Sequence, residues 1–121
     1  MEIKIIKANS LNETETEERC SIAENYSCKE VSIAKATVKP GVTTRAHHLK
    51  GVDEIYLIIS GKGKLELGSQ KSAIVGTGDT IIFPAGNSEK ITNVGKTDLV
   101  FYCICTPRFT AECYINEETA P

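Results

Sequence analysis

From residue 41 onward, short apolar runs alternate with glycine-centred breaks: "VDEIYLIIS", "KLELG", "SAIVG", "TIIFPAG", "EKITNVG" and "LVFYCIC". The runs are rich in isoleucine and valine and too short for helices, so the pattern predicts an all-β sandwich or barrel of short strands with little helix. All nine glycines fall in this part of the chain, as punctuation between strands. "GKGK" at 61–64 reads as a hairpin turn rather than a phosphate loop, because no helix follows it.

The first forty residues are patterned differently. "EIKIIK" is expected to be a strand, "SLNETETEER" a polar, acidic loop with at most one helical turn, and "EVSIAKATV" a strand closed by the "KPG" turn. Thr14 and Glu17 have the spacing of a helix capping box, but no apolar helical face follows them.

Some strands are apolar on both faces. Ile55, Leu57 and Ile59 alternate with Tyr56 and Ile58, and Ile81 is followed by Ile82. A strand of this kind is covered twice, so a second copy of the chain is expected against it, making a homodimer joined by sheet faces or edges. The alternative cover is the N-terminal segment 1–40, folded over its own sheet or packed on a dimer partner.

Composition narrows the function classes. At 121 residues with 40% apolar and 25% charged side chains, the chain is one domain, 1–121, able to bury its own core. A formal charge of −2 and scattered lysines leave no footprint for nucleic acid. The longest apolar stretch, at 99–105, is far short of the roughly 20 residues of a membrane helix, and "MEIKIIKANS" lacks the apolar core of a signal peptide. Five cysteines, an odd number, point to reduced thiols and a cytoplasmic location. Cys103 and Cys105 share a strand face, where either thiol can act as a soft ligand or redox-sensitive group if that face lines a cavity.

Two spaced motifs carry the candidate chemistry. The first runs from Gly41 through His47, Leu49 and Glu54 to Gly61; the second runs from Gly78 through Pro84, Gly86 and Glu89 to Asn93. They resemble the two cupin motifs, G-x5-H-x-H-x4-E-x6-G and G-x5-P-x-G-x2-H-x3-N, with Leu49 in place of one histidine and Glu89 in place of another. The resemblance covers 41–61 and 78–93 and implies a small single-domain cupin, a jelly-roll barrel of antiparallel strands. It also implies that His47, Glu54 and Glu89 hold one divalent metal inside the barrel, with the fourth donor lost at Leu49.

Strand alternation places Arg45, His47 and Leu49 on one face and His48 on the other, so His48 becomes a ligand only if a β-bulge turns it inward. One imidazole and two carboxylates form a workable three-donor set for Mn, Fe, Zn or Ni, with positions left for water or substrate. If no metal binds and the site is degenerate, one buried carboxylate must be protonated or paired, with Arg45 or Lys90 as available partners. Tyr56 shares the face of Glu54 and is a candidate for proton movement, and Arg45 is a candidate grip for an acidic substrate group.

The resulting expectation is a barrel that binds a divalent metal and a small oxygenated ligand, carboxylate or sugar-like, as a metal-dependent isomerase, dioxygenase or lyase. The alternatives are non-catalytic binding of a small molecule and a structural β dimer with a degenerate metal site. The cupin resemblance leaves the reaction open, since one fold hosts many activities.

Overall fold

The glycine-separated runs do form strands, and a computed structural model of the chain, which describes residues 2–68 and 71–118, places them in three antiparallel sheets. In chain order the strands are β1 (Thr14–Glu15), β2 (Ser21–Cys28), β3 (Val31–Val38), β4 (His47–Leu49), β5 (Asp53–Ser60), β6 (Lys62–Glu66), β7 (Ser72–Gly76), β8 (Thr80–Phe83), β9 (Ile91–Asn93), β10 (Leu99–Thr106) and β11 (Tyr114–Asn116). One sheet has the order β1-β2-β3-β10-β5-β8, a second β7-β6-β9, and a third pairs β11 with β4. The only helical pieces among the described residues are two 3-10 turns, Ala8–Ser10 and Ala111–Cys113. No helix there is long and apolar enough to cross a membrane.

The core lies between the two larger sheets. Val38, Ile58, Leu99 and Phe101 from the six-stranded sheet meet Leu65 and Ile91 from the three-stranded one, which is the two-layer packing of a jelly roll. A smaller cluster of Leu49, Val52, Cys105 and Cys113 closes one end. Asn93, the last residue of the second motif, is a fastener rather than a chemical group. Its amide nitrogen donates to Val38 O and Thr97 O, each at 2.8 Å, and its side-chain oxygen accepts from the Gly95 N–H at 2.9 Å. A buried amide bonded in this way ties the end of β3 to the turn between β9 and β10.

The first forty residues depart from expectation in two ways. "EIKIIK" is not a strand: it pairs with nothing among the described residues, and Ile3 and Ile5 are 94% and 78% exposed. Alternation alone cannot make a strand without an edge to pair with. Residues 21–28, which carry only a weak apolar pattern, instead form β2, because β3 offers a long edge and pairs with it from Ser21 to Cys28. β2 and β3 are thus integral to the chain's own six-stranded sheet.

The two-sided apolar strands keep one face bare. In β5 the side chains of Glu54, Tyr56 and Ile58 point into the barrel, while Ile59 and, on the neighbouring edge strand β8, Ile82 remain exposed.

Gly61 closes the first motif at φ +96°, and a Cβ at that position would lie 2.7 Å from Asp98 O and 2.8 Å from Leu99 Cα. Both the backbone conformation and the space demand glycine. Gly61→Ala is expected to destabilise the fold by at least about 2 kcal/mol, read as a lower midpoint in urea with an unchanged slope.

Candidate metal centre

His47 and Glu89 face each other because their backbones do. The two residues form an antiparallel bridge in which Glu89 N donates to His47 O at 2.7 Å and His47 N donates to Glu89 O at 3.2 Å. Residues directly opposite in such a pair project to the same side, so the bridge brings the two sequence motifs onto one point inside the barrel. Glu54 arrives from β5, where it pairs with Phe83 on one side and Cys105 on the other. One donor atom from each of His47, Glu54 and Glu89 lies within 4.8 Å of the other two. The three residues are 7%, 6% and 1% exposed.

Neighbours set the orientation of each group. The His47 Nδ1–H donates to Arg45 O at 2.9 Å, and since a carbonyl only accepts, the Nε2 lone pair is left facing Glu89 Oε1 at 3.5 Å. Tyr114 stacks on the imidazole with ring centroids 4.9 Å apart. The Tyr56 hydroxyl donates to Glu89 Oε1 at 3.0 Å, and the Cys105 thiol donates to Glu54 Oε2 at 3.3 Å.

Without a cation, burial favours a proton on Glu54. Burial, then hydrogen bonding to and repulsion from Glu89, push the Glu54 carboxyl up to about 10. Lys90 gives no relief, since it reaches outward to Glu66 at 3.4 Å, and Arg45 lies 3.7 Å from Glu17 at the cavity mouth. Burial alone would lower the His47 imidazole, but Glu89, the Arg45 carbonyl and Glu18 outweigh it and leave it raised. Burial and the Glu54 carboxyl push the Cys103 and Cys105 thiols up, which keeps both protonated at neutral pH. Two acidic oxygens and an imidazole lone pair that meet in an otherwise apolar interior fit a divalent cation, which would occupy the place of that proton.

A cavity of about 440 Å3 opens beside the three donors. It is lined by Arg45, His47, Glu54, Tyr56, Cys103 and Cys105 among others, so both cysteines of β10 face it. His48 points the other way, its Nδ1 2.7 Å from Glu117 Oε2, and does not join the cluster. Leu49 is buried against Val52, Cys105 and Cys113, so the position of the missing donor is filled by packing.

Two lining residues were outside the sequence reading. Glu18 sits in the acidic loop before β2, and the Arg45 N–H donates to its carbonyl at 3.1 Å, which draws its side chain to the cavity with Oε2 3.5 Å from His47 Nδ1. Among Glu13, Glu15, Glu17 and Glu18 nothing in the sequence marks it, because Glu18 lies in a turn before β2, with Arg19 at φ +67°, where strand alternation does not apply. Tyr114, the first residue of β11, belongs to no motif.

Residues 34–105 match the cupin domain family. The chain is 35% identical over 81 residues to the uncharacterised protein MJ1618 of Methanocaldococcus jannaschii, a match covering 67% of this chain and 64% of that protein. It is 32% identical over 71 residues to an oxalate-binding protein of Thermotoga maritima, covering 59% of this chain and 58% of that one. The chain thus spans less than two thirds of the length of either relative. Among solved structures, Pac13 of Streptomyces, described as a nucleoside dehydratase, superposes with a TM-score of 0.82 at 12% identity, covering 99% of this chain and 95% of that one. Two motifs joined at one backbone bridge, an opposed-sheet barrel and a family match over most of both lead to one conclusion: the chain belongs to the cupin family.

Proposed function

We propose that the protein is a metal-dependent cupin that holds one divalent ion, of the Mn, Fe, Zn or Ni type, on His47, Glu54 and Glu89 and binds a small oxygenated ligand beside it. The observation that carries this reading is the convergence of the three buried donors within 4.8 Å, two of which, His47 and Glu54, line an open cavity. The names of the Thermotoga maritima relative and of Pac13, one an oxalate-binding protein and the other a nucleoside dehydratase, point to small oxygen-rich ligands of different kinds.

The bound ion would act as a Lewis acid on a ligand oxygen, chemistry that isomerases, dioxygenases and lyases share. The chain's own residues then do the rest. Arg45 O holds His47 in the tautomer that presents Nε2, Cys105 and Tyr56 each orient one carboxylate, and the apolar wall excludes water. Tyr56 is the candidate for moving a proton, through Glu89 Oε1, and Arg45 is the cation at the mouth. A second reading, non-catalytic binding or a structural β dimer, is favoured by Leu49, whose burial leaves three donors where the family motif supplies four.

A homodimer in the cytoplasm belongs to the same reading. The exposed Ile59 and Ile82 on the outer sheet face support the dimer, and the absence of any disulfide among the five cysteines agrees with a reducing compartment. Sedimentation equilibrium giving the monomer mass would remove the dimer.

Elemental analysis of protein purified without an affinity metal is expected to find one transition-metal ion per chain, and His47→Ala to weaken its binding by at least about tenfold. Wild-type protein that takes up no metal, or a variant that retains it fully, sinks the assignment.

Proton linkage gives a further check. At pH 7 the metal-free Glu54 carries its proton, so Mn2+ binding is expected to release about one proton per ion, measured by calorimetry in two buffers of different ionisation enthalpy. In the metal-free protein the raised Glu54 makes the folded state bind more protons than the unfolded one between the ordinary value of 4.5 and about 10. Stability should therefore be greatest below that window and fall as pH rises through it. Glu54→Gln should flatten this dependence in urea melts taken from pH 5 to about 9.

A further inference from the structure

We propose that the cavity selects a neutral, hydroxyl-bearing ligand over a carboxylate, and that Glu18 is the residue that decides between them. This names the ligand class of the site described above and rests on that reading only in taking the cavity as a ligand site, since Glu18 is not one of the three metal donors.

Glu18 Oε2 is buried without a hydrogen-bond partner among the described residues, and its side chain lines the cavity. His47 Nδ1, 3.5 Å away, is already committed to Arg45 O, and the Tyr114 hydroxyl is the other protein donor beside the Glu18 carboxyl. A buried carboxylate oxygen left unpaired is destabilising, and such an atom facing a ligand cavity is satisfied by a donor from the ligand. A hydroxyl supplies that donor. A carboxylate has none to offer and brings a like charge instead.

The charge count points the same way. Around the cavity, Glu17, Glu18, Glu24 and Glu54 face a single guanidinium, Arg45, which is 3.7 Å from Glu17. A divalent ion balances Glu54 and Glu89 and leaves no unmatched cation for an anionic ligand. Ile22, Ala34, Ala36, Phe101 and Phe109 supply an apolar wall. A polyol or sugar presents both a hydroxyl edge and a C–H face, and so fits both surfaces of the cavity.

The test uses the full chain saturated with Mn2+ and two probes, ribitol and ribonate, which differ only in a terminal CH2OH against COO−. Calorimetry is expected to show ribitol binding at least about tenfold more tightly than ribonate, and Glu18→Gln to shrink that ratio by about tenfold with the Mn2+ content unchanged. Ribonate binding as tightly as ribitol, no binding of ribitol, or a ratio unmoved in Glu18→Gln overturns the proposal. If Glu18→Gln fails to fold by circular dichroism, the wild-type ratio decides alone. Metal content measured on the same samples separates the two readings. Preference for ribitol in protein that takes up no metal sinks the metal assignment and keeps this one, whereas metal-loaded protein without the preference does the reverse.

Discussion

Glu54 and Glu89 are buried side by side in a barrel with no buried lysine or arginine among the described residues, and two negative charges cannot both stand there unaided. The arrangement around them answers to that constraint. Tyr56 and Cys105 each donate to one carboxyl, His47 stands within reach of Glu89, and a shared proton or a divalent cation must supply the remaining positive charge. A site held in this way is poised between protonated and metal-bound forms, which ties its occupancy to pH.

Precision in such a site comes from backbone pairing more than from side-chain packing. The His47–Glu89 bridge sets two of the three donors, and its register is held along the same pair of segments by Thr44, whose hydroxyl accepts from the Ile91 N–H, and by Asn93, whose backbone N–H donates to Val42 O. A slip of one residue would turn His48 inward and His47 outward, exchanging a buried donor for a surface group already engaged with Glu117. The same alternation that places the ligands thus excludes their neighbour.

Leu49 shows how a donor position can be lost without damage to the barrel. Its side chain packs with Val52, Cys105 and Cys113, and through Cys105 that cluster touches Glu54. Apolar packing and the carboxylate site are therefore one continuous structure. On the opposite side of the cavity, charge is unevenly shared, with glutamates outnumbering the one arginine. In the proposed function, that imbalance bears on which ligand enters and the three donors on what happens to it.

The barrel and most of its centre were legible in the chain itself. Strand content follows from glycine-punctuated runs and the opposite facing of His47 and His48 from period-two alternation, because both are local properties of the polypeptide; that motifs 41–61 and 78–93 share one site was implied by their resemblance to the cupin motifs. Three features were not. "EIKIIK" alternates like a strand yet pairs with nothing among the described residues, and residues 21–28 become β2 only because the edge of β3 is there to receive them. Glu18 reaches the cavity only because a loop remote from both motifs hydrogen-bonds to the Arg45 backbone, and Tyr114 reaches His47 only because β11 pairs with β4. Sequence determined which residues have the chemistry and which way they alternate; tertiary structure decided which ones meet, since edge pairing and burial depend on segments far apart in the chain.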